Sequence, residues 1–170
     1  MSTVTERNTV LENNLSEVHG TLQLVSFHLA NELYGIEITK VREIILITDI
    51  TRIPQTPHYV KGLINLRSTV IPVIDLRAIF GLSESEQTDE SRIMVLQAAG
   101  KTVGIMVDAV SEVLRVKKDQ IAPPPPTVAV LGKEYLTGLV KLDKQLLILL
   151  NVDQILGQEA AAAIEAACAV

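Results

Sequence analysis

The sequence predicts a mainly β protein made of two small closed barrels packed on each other. Three observations lead there. Short runs rich in Val, Ile and Leu, bounded by turn residues, recur along most of the chain, which is the pattern of strands. The same strand-rich phrase occurs twice in one order. Each copy spans roughly 60 residues, a size at which an open sheet leaves bare edges and buries little, so each sheet must curl and close.

Residues 1–20 are polar and without a firm period; they read as a flexible tail with at most one weak helical turn near Val10–Leu15. LQLVSFHL, from Leu22, is the first strand. ANELYG follows as a hairpin turn and YGIEI as the return strand. VREIILI and TRIP are further extended pieces, and QTPHY, with Pro57, is a loop. GLINL and VIPVIDL are too apolar for exposure, so the polar triplet Arg67-Ser68-Thr69 between them sits at a hairpin tip. Pro72, inside the second run, implies an edge or a bulge. LSESEQTDES, residues 82–91, is acidic and serine-rich, a linker by composition.

Past the linker the chain starts over. Gly104 repeats Gly35 and Glu112 repeats Glu43, an offset of 69 residues; Gly138 repeats Gly62 and Gly157 repeats Gly81, an offset of 76 residues. The difference is an insertion around Pro123–Pro126, which favours an extended polyproline loop. These alignments place barrel one at about 22–81 and barrel two at about 92–157, with a groove between them. The second copy carries Asp143-Lys144-Gln145 where the first has Arg67-Ser68-Thr69, a charge reversal that prepares the two barrels for different partners. The final stretch, QILGQEAAAAIEAAC, favours a helix capped by Asp153, with Ile155 and Leu156 docking its first turn and residues 158–170 as its distal tail.

Composition narrows the function classes. Hydrophobic residues make up 48% of the chain, ample for a core. Aromatics are 3%, with no Trp, and the net charge is −5, so neither a base-stacking platform nor a phosphate-binding surface is expected. Cys168 stands alone, which excludes a disulfide framework and fits a cytoplasmic setting. No apolar run reaches a membrane span, and the N-terminus lacks the pattern of a signal peptide.

Signals of catalysis are weak. His19, His28 and His58 have unrelated spacings, so no metal site is expected, and no phosphate loop, G-x-S-x-G or H-E-x-x-H occurs. Asp75 and Asp108 stand at strand ends, where hydrogen-bonded turns account for them better than acid–base chemistry. Ser68 and Ser111 have no evident base, and no cofactor is implied.

The phrases YGIEITKVREI, TPHYVKGLINLRSTVIPVIDLR, VGIMVDAVSEV and EYLTGLVKLDKQLLILLNVDQIL resemble the CheW family of bacterial chemotaxis coupling proteins, over about residues 20–157. The resemblance implies two SH3-like five-stranded β-barrels and no enzyme activity. It implies an adaptor that links chemoreceptor signalling tips to the regulatory domain of a CheA-type histidine kinase, within receptor arrays, without nucleic acid or membrane insertion. Partner contacts implied by it are Val41, Glu43, Ile44, Lys61, Gly62, Arg67, Val107 and Val113. We assign Arg67, with Val107 and Val113 in the groove between barrels, to the receptor, and Val41, Glu43 and Ile44 to the kinase. Core burial competes as the reading for the apolar members; Glu43 and Arg67 stand out because charged residues are seldom buried without partners. Where the family has glycine after N-L-R, this chain has Ser68, which puts strain on the hairpin turn if its φ is positive. No response-regulator domain follows residue 157, so the fused relative, CheV, is not expected. Two alternatives remain: an adaptor of a surface-motility or biofilm kinase, and a double barrel that binds a small ligand or catalyses a reaction in its groove.

Overall fold

A computed structural model describes residues 20–98, 100–125 and 135–157. The helical turn expected near Val10–Leu15, Pro126 of the proline run and the tail at 158–170 lie outside these residues. Eleven strands form two sheets among the described residues. The first copy supplies β1 (Thr21–Leu29), β2 (Glu32–Glu37), β3 (Val41–Leu46), β4 (Val60–Leu66) and β5 (Thr69–Asp75), followed by a short helix α1 (Leu76–Ile79). The second copy supplies β6 (Arg92–Ala98), β7 (Lys101–Val107), β8 (Ala109–Lys117), β9 (Ile121–Ala122), β10 (Leu136–Lys141) and β11 (Leu146–Leu150), followed by α2 (Val152–Gly157).

The duplication is present, but the two copies exchange strands. One sheet runs β8-β1-β2-β11-β10-β9 and the other β3-β6-β7-β5-β4. The expected boundaries, 22–81 for one barrel and 92–157 for the other, therefore do not describe the barrels: each barrel draws strands from both copies. The reason lies in β1 and β6, which are apolar on both faces. Leu24 of β1 joins one barrel's core, while Val25, Phe27 and Leu29 join the layer between barrels. In β6, Ile93 and Val95 face the other barrel's core, and Met94 and Leu96 face the same shared layer. Strands with two apolar faces need cover on both sides, and the exchange provides it.

Pseudo-twofold symmetry survives in the register. β5 pairs in parallel with β7 at Val73↔Gly104, and β11 pairs in parallel with β2 at Leu149↔Gly35. Asp75 N–H donates to the Tyr59 carbonyl over 2.7 Å, and Asn151 N–H to the Tyr135 carbonyl over 2.8 Å. Each of those residues then caps a helix: Asp75 accepts from Arg77 N–H, and Asn151 from Gln154 N–H. The α2 cap is thus Asn151, two residues before the expected Asp153, while Ile155 is buried as expected.

Each barrel closes through the chain that follows β3 or β8. Thr51 and Leu63 of β4 exchange two backbone hydrogen bonds of 2.8 Å, and β9 pairs β10 at Leu139↔Ala122. Because Leu63 spends both backbone groups on Thr51, its opposite neighbour Pro72 loses nothing there by lacking an N–H. On its other side the β5–β7 ladder begins only at Val73. Gly62 makes the closure possible: its φ is +146°, and a Cβ there would lie 2.2 Å from the Thr51 carbonyl oxygen. Three cores result. One fills each barrel, and the largest, including Phe27, Ile36, Ile74, Leu76, Ile105 and Val107, separates the barrels.

Two ion pairs brace the places where the chain crosses from one barrel to the other. Arg77 of α1 donates from Nε to Asp108 Oδ1 over 3.1 Å, and Asp108 also accepts from Ala30 N–H over 2.9 Å, at the β1–β2 turn. Burial pushes the Asp108 carboxyl up, but the hydrogen bonds from Arg77 and Ala30 outweigh it and hold its pKa below the ordinary carboxylate value. At the other crossing Lys40 pairs with Asp153 over 3.2 Å. Arg77 and Asp153 are repeat equivalents, so the same brace is built twice with its charges exchanged. The β4–β5 hairpin turns on Arg67 and Ser68, with φ of 49° and 71°. Two consecutive positive values define a type I′ turn, whose second position strongly favours glycine.

Three outcomes follow for stability measurements. Gly62→Ala forces β4 away from Thr51 and costs about 3 kcal/mol by overpacking, whereas Gly81→Ala, with open space at its Cβ, costs about 1 kcal/mol through its backbone alone; chemical denaturation compares them. Ser68→Gly relieves the left-handed strain and raises stability by about 1 kcal/mol in the same assay. Asp108→Ala costs about 1–3 kcal/mol at pH 7. Since the folded pKa of Asp108 lies below the unfolded one, that deficit is full above about pH 4 and shrinks as pH falls through the folded value; denaturation at pH 7 and pH 3 checks the trend.

Candidate functional site

Among the described residues, five large apolar side chains stand exposed: Ile44 at 40%, Leu46 at 67%, Val70 at 56%, Val113 at 53% and Leu146 at 48%. Four of them are two repeat-related pairs, Ile44 with Val113 and Val70 with Leu146. Their exposure follows from strand parity. In β3 Arg42, Ile44 and Leu46 are exposed; Val41 and Ile45, which alternate with them, pack against the cores, and Glu43 is part-exposed at the sheet's edge. Val70 and Leu146 stand beside the turns of their hairpins, before the buried stretch of each strand begins. Each barrel thus exposes apolar side chains in two places, on a strand at the sheet's edge and beside a hairpin tip.

The polar surroundings of the two patches differ. On the first, the Arg67 guanidinium at the hairpin tip donates to the Glu43 carboxylate on β3. That hydrogen bond holds the Glu43 carboxyl below its usual pKa and raises that of Arg67. On the second, the equivalents of Glu43 and Arg67 are Glu112 and Asp143, two carboxylates, and Leu46 is replaced by Arg115. Charge attraction joins hairpin to strand on the first barrel and is missing from the corresponding pair on the second. Ser26 secures β8 instead: its hydroxyl donates to the Glu112 carbonyl over 2.7 Å.

The structure redistributes the residues named from the sequence. Glu43 and Arg67, assigned to different partners, form one ion pair and so belong to one surface. Ile44 is exposed beside them, and Val113 is exposed on the other barrel. Val107 is 2% exposed and packs in the layer between barrels, so it is not a surface contact. The layer fills the space where a groove was expected. Gly62 is buried and serves closure of the barrel, and Val41 packs partly against the central layer. Lys61 is half-buried and lies 3.6 Å from Asp75.

Two clefts flank the layer at repeat-related positions. One is lined mainly by polar residues, among them Lys61, Asp75, Arg77, Glu84 and Asp108; the other mixes Glu37, Lys40, Asn151 and Asp153 with Leu149 and Leu150. Several of their charges face each other in the Lys61–Asp75, Arg77–Asp108 and Lys40–Asp153 pairs. Among the described residues no group of three side chains is arranged to hold a metal, and no buried side-chain polar atom lacks a partner. The exposed apolar side chains equip the outward faces of the two barrels for contact. Leu46, Val70 and Leu146 escaped the sequence reading. The signal was there: the repeat aligns Val70 with Leu146, and counting parity from the strand cores turns both outward.

Comparison with known proteins assigns the architecture. Residues 23–160 match the family described as CheW-like domain. The Chemotaxis protein CheW of Klebsiella aerogenes is 40% identical over 84% of this chain and 86% of its own length. That of Treponema pallidum is 37% identical, over 78% and 81% respectively. The crystal structure of scaffolding protein TtCheW from Thermoanaerobacter tengcongensis superposes with a TM-score of 0.72 at 39% identity, covering 76% of this chain and 88% of that one. With its duplicated, strand-exchanged double barrel and these matches over most of its length, the chain belongs to the CheW-like domain family.

Proposed function

We propose that this protein is a non-enzymatic adaptor of chemotaxis signalling that couples chemoreceptor cytoplasmic tips to the regulatory domain of a CheA-type histidine kinase. The adaptor role rests on family membership over residues 23–160. One observation supports the coupling: exposed apolar side chains stand at repeat-equivalent places on the two barrels, with unlike charges at neighbouring repeat positions. An adaptor needs two surfaces that do not compete, and twin barrels with different rims supply them. The first patch, Ile44, Leu46 and Val70 with Glu43 and Arg67, takes the kinase; the second, Val113 and Leu146, takes the receptor tip. The setting is the cytoplasmic face of a receptor array. No helix among the described residues is long and apolar enough to cross a membrane.

The chemistry fits transient contact. A patch of this size suits an interface near 1,200 Å² in total, the low end for signalling pairs. Single contacts of that kind are weak, and an array makes them persistent by offering many at once. Arg67 is largely exposed, so its pair with Glu43 adds little to the fold and is free to be exchanged for a partner's charges.

The test is a patch-by-patch charge insertion. Ile44→Asp weakens kinase-domain binding by about tenfold or more while receptor binding is retained, and Val113→Asp does the reverse. Calorimetry with each purified partner reads the two affinities, and autophosphorylation with all three components reads coupling. Equal loss of both partners in both folded variants would contradict the two-surface assignment.

A further inference from the structure

We infer that Phe80, at the end of α1, is a positioning residue that fixes the angle between the two barrels and so sets the relation between the two patches. The inference rests on the proposal that the patches take different partners. Phe80 follows the last residue of α1 and its N–H donates to the Leu76 carbonyl over 3.0 Å. Its ring stacks on Tyr34 of β2, with centroids 5.7 Å apart and planes 15° off parallel. Tyr34 stacks in turn on Phe27 of β1 at 5.9 Å and 19°. On its other side Phe80 meets Tyr135, just before β10, at 6.1 Å and 50°. Phe80 hangs from β5 and α1, on the five-stranded barrel; Phe27, Tyr34 and Tyr135 belong to the six-stranded one. A ring of one barrel is therefore held within a column of rings from the other.

This column departs from the pseudo-twofold symmetry. The repeat equivalents of Phe27 and Tyr34 are Leu96 and Val103, which are buried in the same layer but cannot stack. Aliphatic contacts tolerate sliding, because methyl groups repack at similar energy. Stacked rings prefer particular offsets and tilts, and each ring has only two side-chain torsions to absorb a change. Arg77, three residues before Phe80, fastens α1 to Asp108, which also holds the β1–β2 turn through Ala30. The helix is thus tied at one end by charge and at the other by a ring. Phe80 touches neither patch: Ile44 lies on β3 and Val113 on β8. Its effect on partners can only pass through barrel orientation, as coupling through packed, rigid elements requires. Phe80 is half-buried rather than fully enclosed, which lets the chain fold without it.

The experiment compares Phe80→Ala, Phe80→Leu and Phe80→Tyr in the full chain. Spin labels at Thr48→Cys and Lys141→Cys, with Cys168→Ser, report the distance between barrels. Phe80→Ala is expected to broaden the distance distribution, to leave each binary affinity within about threefold, and to cut receptor-dependent kinase stimulation by about fivefold or more. Phe80→Leu, which keeps bulk without stacking and secures the test should the alanine variant fold poorly, broadens the distribution less; Phe80→Tyr restores both readouts. A narrow distribution in Phe80→Ala, or full stimulation despite a broad one, overturns the inference. Should the wild-type chain bind neither partner, the adaptor proposal fails, and the label distances still decide whether Phe80 holds the barrels.

Discussion

The apolar layer between the barrels is the constraint on which the rest depends. It draws one face of β1 and β6, the inward side of both helices, and the strands Ile36 and Ile105 come from. Neither barrel has a complete exterior without it. Among the described residues each barrel core is small, five or six buried side chains with a few partly buried neighbours, whereas the central layer holds seventeen. A closed sheet of this size buries too little on its own to fold securely. The barrels are thus one cooperative body, and their outward patches are presented on a common frame.

Strand exchange strengthens that unity. A chain that crosses between barrels at Ile38–Lys40 and again at Asp108 cannot release one barrel without opening the other. The braces at these crossings use opposite polarity, Arg77 to Asp108 in one and Asp153 to Lys40 in the other. A duplicated fold keeps its geometry through the backbone register and its glycines, and it is free to change the charges that decorate it. The same freedom operates outside. Glu43 and Arg67 attract, while their equivalents Glu112 and Asp143 carry like charge. On the adaptor proposal, related scaffolds with unlike rims serve to discriminate two partners.

Much of this was legible in the residues. The glycine pairs Gly35 with Gly104 and Gly62 with Gly138 marked the repeat, and the structure explains why: a Cβ at any of them meets a neighbour at 2.9 Å or closer. The polar triplet after Leu66 marked a hairpin tip, and Ser68 does take the left-handed backbone its position demands. Strand exchange was not legible, because a repeat shows which segments are alike and says nothing about which copy a strand pairs with. Val107 was left between core and contact for a related reason: its companions in the layer, such as Ile36 and Leu150, are distant in sequence. Glu43 and Arg67 were assigned from the sequence to separate surfaces, since 24 positions of chain hide their contact.

The central claim is that one folded molecule holds two macromolecules at once through separate faces. Titrating a receptor-tip fragment into the protein alone, and then into the protein saturated with the kinase regulatory domain, tests it most directly. The account predicts the same stoichiometry in both titrations and a ternary complex of matching mass by sedimentation. Displacement of the kinase domain by the receptor fragment would show a single shared surface and contradict it.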